Sequence, residues 1–307
     1  MKKTIKSIIK KTPGFDSLNL LRFRVNYFLK DDEIVIKERY KKIFGRELNL
    51  ENPRTFNEKI QWRILKDRKD IYTKLADKYL VRDYIKEKIG EEFLIKLLGV
   101  YEKAEDIDYD RLPNKFVLKC NHDSGSVIIC KDKSKFDKKE ANKKLNFFLK
   151  RNFYYMTREW HYKNIKPLII CEEFLGEDPD EFRVWVFNGK VHYISTNLFE
   201  VNLKNMGKKK IKGRSFYNSN WELQNFSIGY PVYKIKEKKP QFLEELIKLS
   251  ETLATQFDQC RVDFYFTSHN ELKFGELTFT HAAGTQKFYP IGMDKEFGKL
   301  FKIKEEK

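Results

Sequence analysis

The chain has few of the residues that carry the commonest metal and redox chemistries: four cysteines and five histidines among 307 residues. Cys120, Cys130, Cys171 and Cys260 form no CxxC pair, and no histidine stands near them at zinc-ligand spacing. Three of them sit in apolar, strand-like runs, where a free thiol behaves as a small hydrophobe, and a reducing cytoplasm is the natural setting. His122, His161, His192, His269 and His281 are too scattered to form a ligand set. The motifs GxxxxGK[ST], GxSxG, HExxH and GxGxxG are all absent, which removes the P-loop, nucleophile elbow, zincin helix and dinucleotide fingerprint from consideration. No apolar run is long enough to cross a bilayer or to form the core of a signal peptide. Repeats and low-complexity linkers are missing too, so the lobes must be closely joined.

Charge and aromatic side chains are plentiful. Charged residues make up 35% of the chain and are spread along it, and 26 Phe and 16 Tyr can build a substantial core, so the composition is that of a globular protein. A net charge of +17 favours anionic partners. No interleaved aromatic–basic motif is present, so nucleic acid is not expected among them. In "MKKTIKSIIKKTPGF", Ile5, Ile8 and Ile9 among lysines suit a short helix packed on the body. The same helix would also suit an anionic surface, giving peripheral contact with the inner membrane.

Along the chain, residues 1–50 are basic and read as helical, with a break at Pro13-Gly14. "NPRTFNEKIQWRILKD" (52–67) predicts a helix capped by Thr55 or Asn57, and 71–90 a second helix ended by Gly90. Apolar runs within 93–131 and 166–176 predict strands, with a helix over 136–155 between them. "FRVWVFNGKVHYI" predicts a hairpin turning at Asn188-Gly189. Residues 200–235 read as irregular, and their lysine cluster "NMGKKKIKGR" as a solvated loop or a grip on a polyanion. A helix over 240–257 precedes a last hairpin. The class is α+β with mainly antiparallel hairpins.

That last hairpin, "RVDFYFTSHNELKFGELTF" (261–279), is the most informative stretch. Arg261, Asp263 and Tyr265 alternate with Val262, Phe264 and Phe266. If Ser268 to Glu271 form the loop, Thr267 pairs with Leu272, Asp263 faces Glu276 and Arg261 faces Thr278. Directly opposed carboxylates repel, so something must compensate. The candidates are solvent screening, a salt bridge through Arg261, or a divalent cation held by oxygen ligands. Two further stretches bear on the choice. In "FVLKCNHDSGSVIICKD" a small polar loop with Ser124, Gly125 and Ser126 follows Lys119, a composition able to cradle phosphates. In "IICEEFLG" a buried strand ends at Glu172, Glu173, Phe174 and Leu175, which offers backbone groups and an apolar wall to an adenine.

The order of these pieces, with Lys78 in "DKYLVRDYI" ahead of them, resembles the ATP-grasp superfamily. More narrowly the chain resembles the TupA-like ATP-grasp proteins of bacterial surface-polysaccharide clusters. The narrower resemblance is carried by "NPRTFNEKIQW", "DKYLVRDYIKEKIGEEFLIKLLGVY", "LPNKFVLKCNHDSGSVIICKDK" and "FGELTF". It implies an ATP-grasp fold, two α+β lobes with antiparallel sheets gripping ATP. The implied units are 1–50 (basic, helical), 51–114 (helical and strand lobe), 115–171 (lid subdomain) and 172–307 (C-terminal subdomain with the metal site). By the same resemblance Lys78 and Lys119 contact the phosphates, and Ser124, Gly125 and Ser126 form the lid. Glu172 to Leu175 (Glu172, Glu173, Phe174, Leu175) form the adenine hinge. Asp263 and Glu276 hold Mg²⁺, or Mn²⁺, and Arg261 acts with Lys119 in catalysis. Thr278 stands where the superfamily has an Asn ligand, which puts its part in metal binding in doubt. His281, Gly284, Gln286 and Lys287 are candidate substrate contacts.

The activity implied is ATP-dependent ligation of a carboxylic acid and an amine through an acylphosphate. An acidic sugar nucleotide or glycan precursor, such as a uronic acid unit of a capsule or O-antigen, is the expected acid. The alternative is a glycosyltransferase-like enzyme using a nucleotide sugar, with Asp263 and Glu276 on the metal of its diphosphate. The setting is cytoplasmic.

Overall fold

The computed structural model describes residues 30–177, 179–202, 208–234 and 236–303. The break at Pro13-Gly14 and the helix carrying Ile5, Ile8 and Ile9 lie outside the described residues. Helix α1 (Asp32–Phe44) starts at Asp31, whose carboxylate accepts from the Glu33 and Ile34 amides, and stops at Gly45 in the left-handed region. Helix α2 (Phe56–Lys66) is capped by Thr55: its hydroxyl accepts from the Glu58 amide, and the Glu58 carboxylate accepts from the Thr55 amide. Asn57, the other expected cap, lies inside the helix, and its side chain donates to the Gln286 carbonyl.

The single helix expected over 71–90 is two, α3 (Asp70–Ala76) and α4 (Val81–Lys88). Asp77 breaks it. Its Oδ1 accepts from the amides of Tyr79 (2.8 Å) and Leu80 (3.3 Å), which opens a new turn, and from Asn121 Nδ2 (2.9 Å). Lys78 therefore stands in a turn.

Strands β1 (Leu97–Tyr101), β2 (Phe116–Cys120) and β3 (Ile128–Cys130) follow, then α5 (Lys138–Leu149), α6 (Tyr154–Thr157) and β4 (Ile169–Glu173). The four strands form one antiparallel sheet in the order β1-β4-β2-β3. Phe116, Leu118, Cys120, Cys130, Ile169 and Cys171 bury one face with Leu145 of α5. All four cysteines are buried and free. Because β1 pairs with β4, the expected boundary at 114/115 cuts a sheet. The helices before β1 pack instead on the C-terminal body, where their apolar faces find a partner.

That body holds β5 (Asp180–Phe187), β6 (Lys190–Asn202), β7 (Lys208–Asn218), β8 (Leu223–Gln224), β9 (Ser227–Ile228), α7 (Leu243–Ala254), β10 (Gln259–Phe266), β11 (Leu272–Thr278), β12 (Phe288–Tyr289) and α8 (Met293–Leu300). Six strands form an antiparallel sheet in the order β11-β10-β5-β6-β7-β8, and β12 pairs with β9. Asn188 and Gly189, both at positive φ, make the expected turn. The stretch read as irregular contains β7, paired with β6 from Tyr193–Asn218 to Asn202–Lys208. Lys208, Lys209 and Lys210 thus open a strand. There β7 is an edge, since among the described residues β8 pairs only with Phe216 and Tyr217.

Each face of this sheet has its own core. Leu246, Leu249 and Leu253 of α7 cover Val184, Val186, Ile194, Val262 and Phe264. On the other face Phe56, Ile60 and Ile64 of α2 and Phe297 of α8 cover Trp185, Phe187 and Phe216. Gly298 permits the α8–α2 contact, because a Cβ there would come within 2.1 Å of the Arg54 carbonyl oxygen. Beyond Trp185 this second face turns polar, toward the four-stranded sheet.

Candidate active site

Asp263 pairs with Glu276 and Arg261 with Thr278, as the alternation predicts. The tip of the hairpin differs: Phe266, not Thr267, pairs with Leu272, and a bulge at Gly275 absorbs the extra residue. In an unbroken β11, Leu272, Phe274, Glu276 and Thr278 would share one face. The bulge sends Leu272 and Phe274 to the α7 core and leaves Glu276 on the polar side. A side chain at Gly275 would crowd the Asp263 carbonyl oxygen, 3.0 Å from a Cβ.

The repulsion between the two acids is relieved by Arg261. Its Nε donates to Asp263 Oδ1 (2.7 Å), and its Nη2 to Asp263 Oδ2 (2.6 Å) and Glu276 Oε1 (2.8 Å). Across β5, Arg183 pairs with Asp263 in the ladder and its Nε stands 3.8 Å from Oδ2. Burial pushes the Asp263 carboxyl up to about 6, with Arg261 opposing. Although desolvation opposes it, Glu276 is held below the usual carboxylate range by Arg261 and Lys78. Arg261 Nη1 also donates to His281 Nδ1, so that nitrogen carries the lone pair and Nε2–H donates to Gln286 Oε1 (2.9 Å). Burial and three arginines, Arg261 first, hold His281 neutral, far below its ordinary basicity.

The four-stranded sheet supplies the facing wall. Lys119 and Glu172 alternate with core residues, so both point away from that core. Lys119 Nζ lies 2.6 Å from Glu172, and Arg82 Nη1 3.5 Å from it. Glu172, expected as a hinge contact, is thus a buried, doubly paired counter-ion. Glu173 is exposed, with its amide held by the Lys96 carbonyl. Phe174 and Leu175 are half-buried, with Lys115 over the Phe174 ring.

Lys78 donates to the Asp123 carbonyl, and burial holds it below its ordinary basicity although Glu276 opposes this. Lys119 and Glu276 both act on Lys78, which links the two sheets across the cleft. The 121–126 loop is anchored at its ends. Asn121 bonds Asp77, the Lys166 carbonyl and the Leu168 amide. Ser126 is buried, accepting from the Cys120 amide (2.9 Å) and donating to Asp123, whereas Ser124 and Gly125, expected with it as a lid, are exposed.

Among the candidate substrate contacts, His281 and Gln286 join the Arg261 cluster. Gly284 faces α2 instead: a Cβ there would meet the Asn57 carbonyl at 2.9 Å, and Gln61 holds the carbonyls of Ala283 and Gly284. Lys287 is exposed, and its carbonyl accepts from the Gly229 amide.

Four site residues were not anticipated. Arg183 sits beside Asp263, and strand parity in "FRVWV" was the signal that points to it. Arg214 on β7 acts electrostatically on His281, as Arg261 does on Arg214. Glu159 accepts from the Thr280 hydroxyl and is pushed up to about 6 by burial. Tyr162 lies within electrostatic reach of Glu159, Glu276, Arg261 and Asp123. No local pattern marks the last three.

The donor set fits a hard divalent cation. Asp263 and Glu276 offer only oxygen, each oxygen bonded to Arg261 keeps a second lone pair, and Glu276 is 46% exposed. Among the described residues no group of three or more His, Cys, Asp or Glu converges on a point. Two carboxylates are what Mg²⁺ takes from a protein when phosphates complete its shell. Thr278 donates its hydroxyl to Glu276 (2.8 Å), which makes it a support for that carboxylate. No helix among the described residues is long and apolar enough to cross a membrane.

Solved structures that resemble the chain include a D-alanine–D-alanine ligase from Bacillus anthracis, at 18% identity and TM-score 0.39, covering 67% of this chain and 57% of that one. An L-amino acid ligase from Bacillus licheniformis matches at 13% identity and TM-score 0.45, covering 81% and 55%. N5-carboxyaminoimidazole synthetase from Staphylococcus aureus, complexed with ADP, matches at 15% and 0.35, covering 66% and 43%. The chain spans about half the length of these three ligases. No curated protein matches it. Residues 58–302 match the family model described as TupA-like ATPgrasp. The chain belongs to the TupA-like ATP-grasp family.

Proposed function

We infer that the protein is an ATP-dependent carboxylate–amine ligase that makes an amide through an acylphosphate. The observation that carries this reading is the Arg261–Asp263–Glu276 cluster standing across the cleft from Lys78 and Lys119. An acid row for a cation, facing lysines for phosphates, suits transfer of a γ-phosphoryl group. The substrate carboxylate attacks the γ-phosphorus and ADP leaves. The amine then attacks the acyl carbon, phosphate leaves, and the nitrogen gives up a proton. Lys78 and Lys119 hold the phosphates, and Arg261 meets the charge that develops on the transferring group. Each well-placed donor of this kind contributes about 3 kcal/mol to the transition state. When bound, Mg²⁺ spreads the charge of the β- and γ-phosphates. Ser124 and Gly125, at the tip of an anchored loop, exclude water from the acylphosphate.

The acid we propose is a uronic acid of a capsule or O-antigen precursor, an anionic substrate in keeping with the +17 charge and with the family's association with polysaccharide clusters. The test is ADP release with Mg·ATP and a panel of uronic acid nucleotides and amines, on wild type and Glu276→Gln. Release that requires both an acid and an amine, and is lost in the variant, is expected. Stabilisation by nucleotide sugars alone, without ATP turnover, would overturn the reading in favour of a glycosyltransferase.

A further inference from the structure

Three guanidiniums line the polar face of the six-stranded sheet, and two are matched by acids. Arg261 holds Asp263 and Glu276, and Arg183 holds Glu181. Arg214 has no carboxylate within ion-pair distance among the described residues, although it is only 3% exposed. Its Nε donates to Asn197 Oδ1 (2.8 Å) and its Nη1 to the Ile228 carbonyl (3.1 Å), while the Tyr230 ring lies 5.0 Å away. These neutral partners fix its direction without cancelling its charge. Beside it, Asn197 Nδ2 is a buried donor with no acceptor. A buried cation next to an unspent amide donor is costly to the empty protein, and an oxyanion would satisfy both.

Asn197, though not Arg214, lines a cavity of about 760 Å³ whose wall also carries Glu181, Glu237, Lys238 and Tyr265. Burial, with Arg183 and Arg261 nearby, pushes Arg214 down to about 9.

We propose that Arg214 and Asn197 form the seat of the acid substrate's carboxylate, a binding site separate from the Asp263–Glu276 pair. Naming the anion as the substrate's carboxylate rests on the ligase reading; the anion site itself does not. The other source of the same chemistry is a nucleotide phosphate, and the test separates the two.

The measurement is calorimetric titration of the full chain with D-glucuronate, with D-glucose as the neutral control and Mg·AMP-PNP as the phosphate arm. Wild type should bind glucuronate and not glucose. Arg214→Gln should weaken glucuronate about tenfold or more and leave Mg·AMP-PNP within about twofold. Asn197→Asp guards against a folding failure, because it sets an internal carboxylate beside Arg214. It should raise the melting temperature and abolish glucuronate binding.

Equal loss of Mg·AMP-PNP in Arg214→Gln would make this a phosphate seat and overturn the proposal. Unchanged glucuronate affinity in Asn197→Asp, or no discrimination from glucose in wild type, would also overturn it. Glucuronate binding without any ADP release would sink the ligase reading alone and leave the site standing.

Discussion

Asp263 and Glu276 stand directly opposite each other on adjoining strands, and one guanidinium bonds both. Two acids at paired positions are tolerated because Arg261 supplies the countercharge, and a cation arriving with phosphates can share that work. Arg261→Leu should therefore destabilise the fold by about 3 kcal/mol, the usual loss when a buried ion pair is left one-sided. Millimolar Mg²⁺ should raise the melting temperature of this variant more than that of wild type. Equal shifts in the two proteins would show that the acids do not take the metal.

Lys119 is the better probe of the proposed phosphate wall, since Arg82 still faces Glu172 when Lys119 is gone. Lys119→Met should fold, with ADP formation about 100-fold slower. Wild-type turnover in a folded variant would move the nucleotide away from this sheet.

Glu159 gives a prediction in pH. Its carboxyl rises from 4.5 to about 6 on folding, through burial, with Thr280 and Arg39 opposing. A group raised in this way adds stability below its unfolded pKa and loses it as pH climbs through the folded value. Glu159→Gln, which cannot ionise, should thus exceed wild type by about 2 kcal/mol at pH 8 and match it near pH 4. Urea unfolding at both pH values checks the sign. Greater stability of wild type at pH 8 would mean the carboxylate is held by a partner stronger than the Thr280 hydroxyl.

Gly298 tests the helix contact that sets the site's floor. Alanine there puts a methyl group against the Arg54 carbonyl, so Gly298→Ala should cost about 2 kcal/mol even though alanine is the better helix former. A neutral or stabilising result would mean that α8 can slide on α2.

Where sequence reading succeeded, the signal was local. The Thr55 cap, the Asn188-Gly189 turn and the β10 alternation each lie within a few residues. It failed where a distant partner decided the outcome. Asp77 ends a helix partly because Asn121 reaches it from the next lobe. The lysines of β7 join a strand because β6 needs a partner. Glu172 looks like a strand-end acid until Lys119 and Arg82 close on it. Arg214 gave no warning at all, since what sets it apart is that, among the described residues, no carboxylate stands within ion-pair distance of it. Composition likewise hid the split of Ser126 from Ser124 and Gly125, which only the hydrogen bonds reveal.

The extra residue at Gly275 divides β11 into two independent tenants. One half answers to the core through Leu272 and Phe274, and the other to chemistry through Glu276 and Thr278. Substitutions at Glu276 or Thr278 leave Leu272, Phe274 and Leu277 in the α7 core, so selection can retune the candidate cation site without renegotiating the fold. A threonine at 278 is the kind of change such insulation permits.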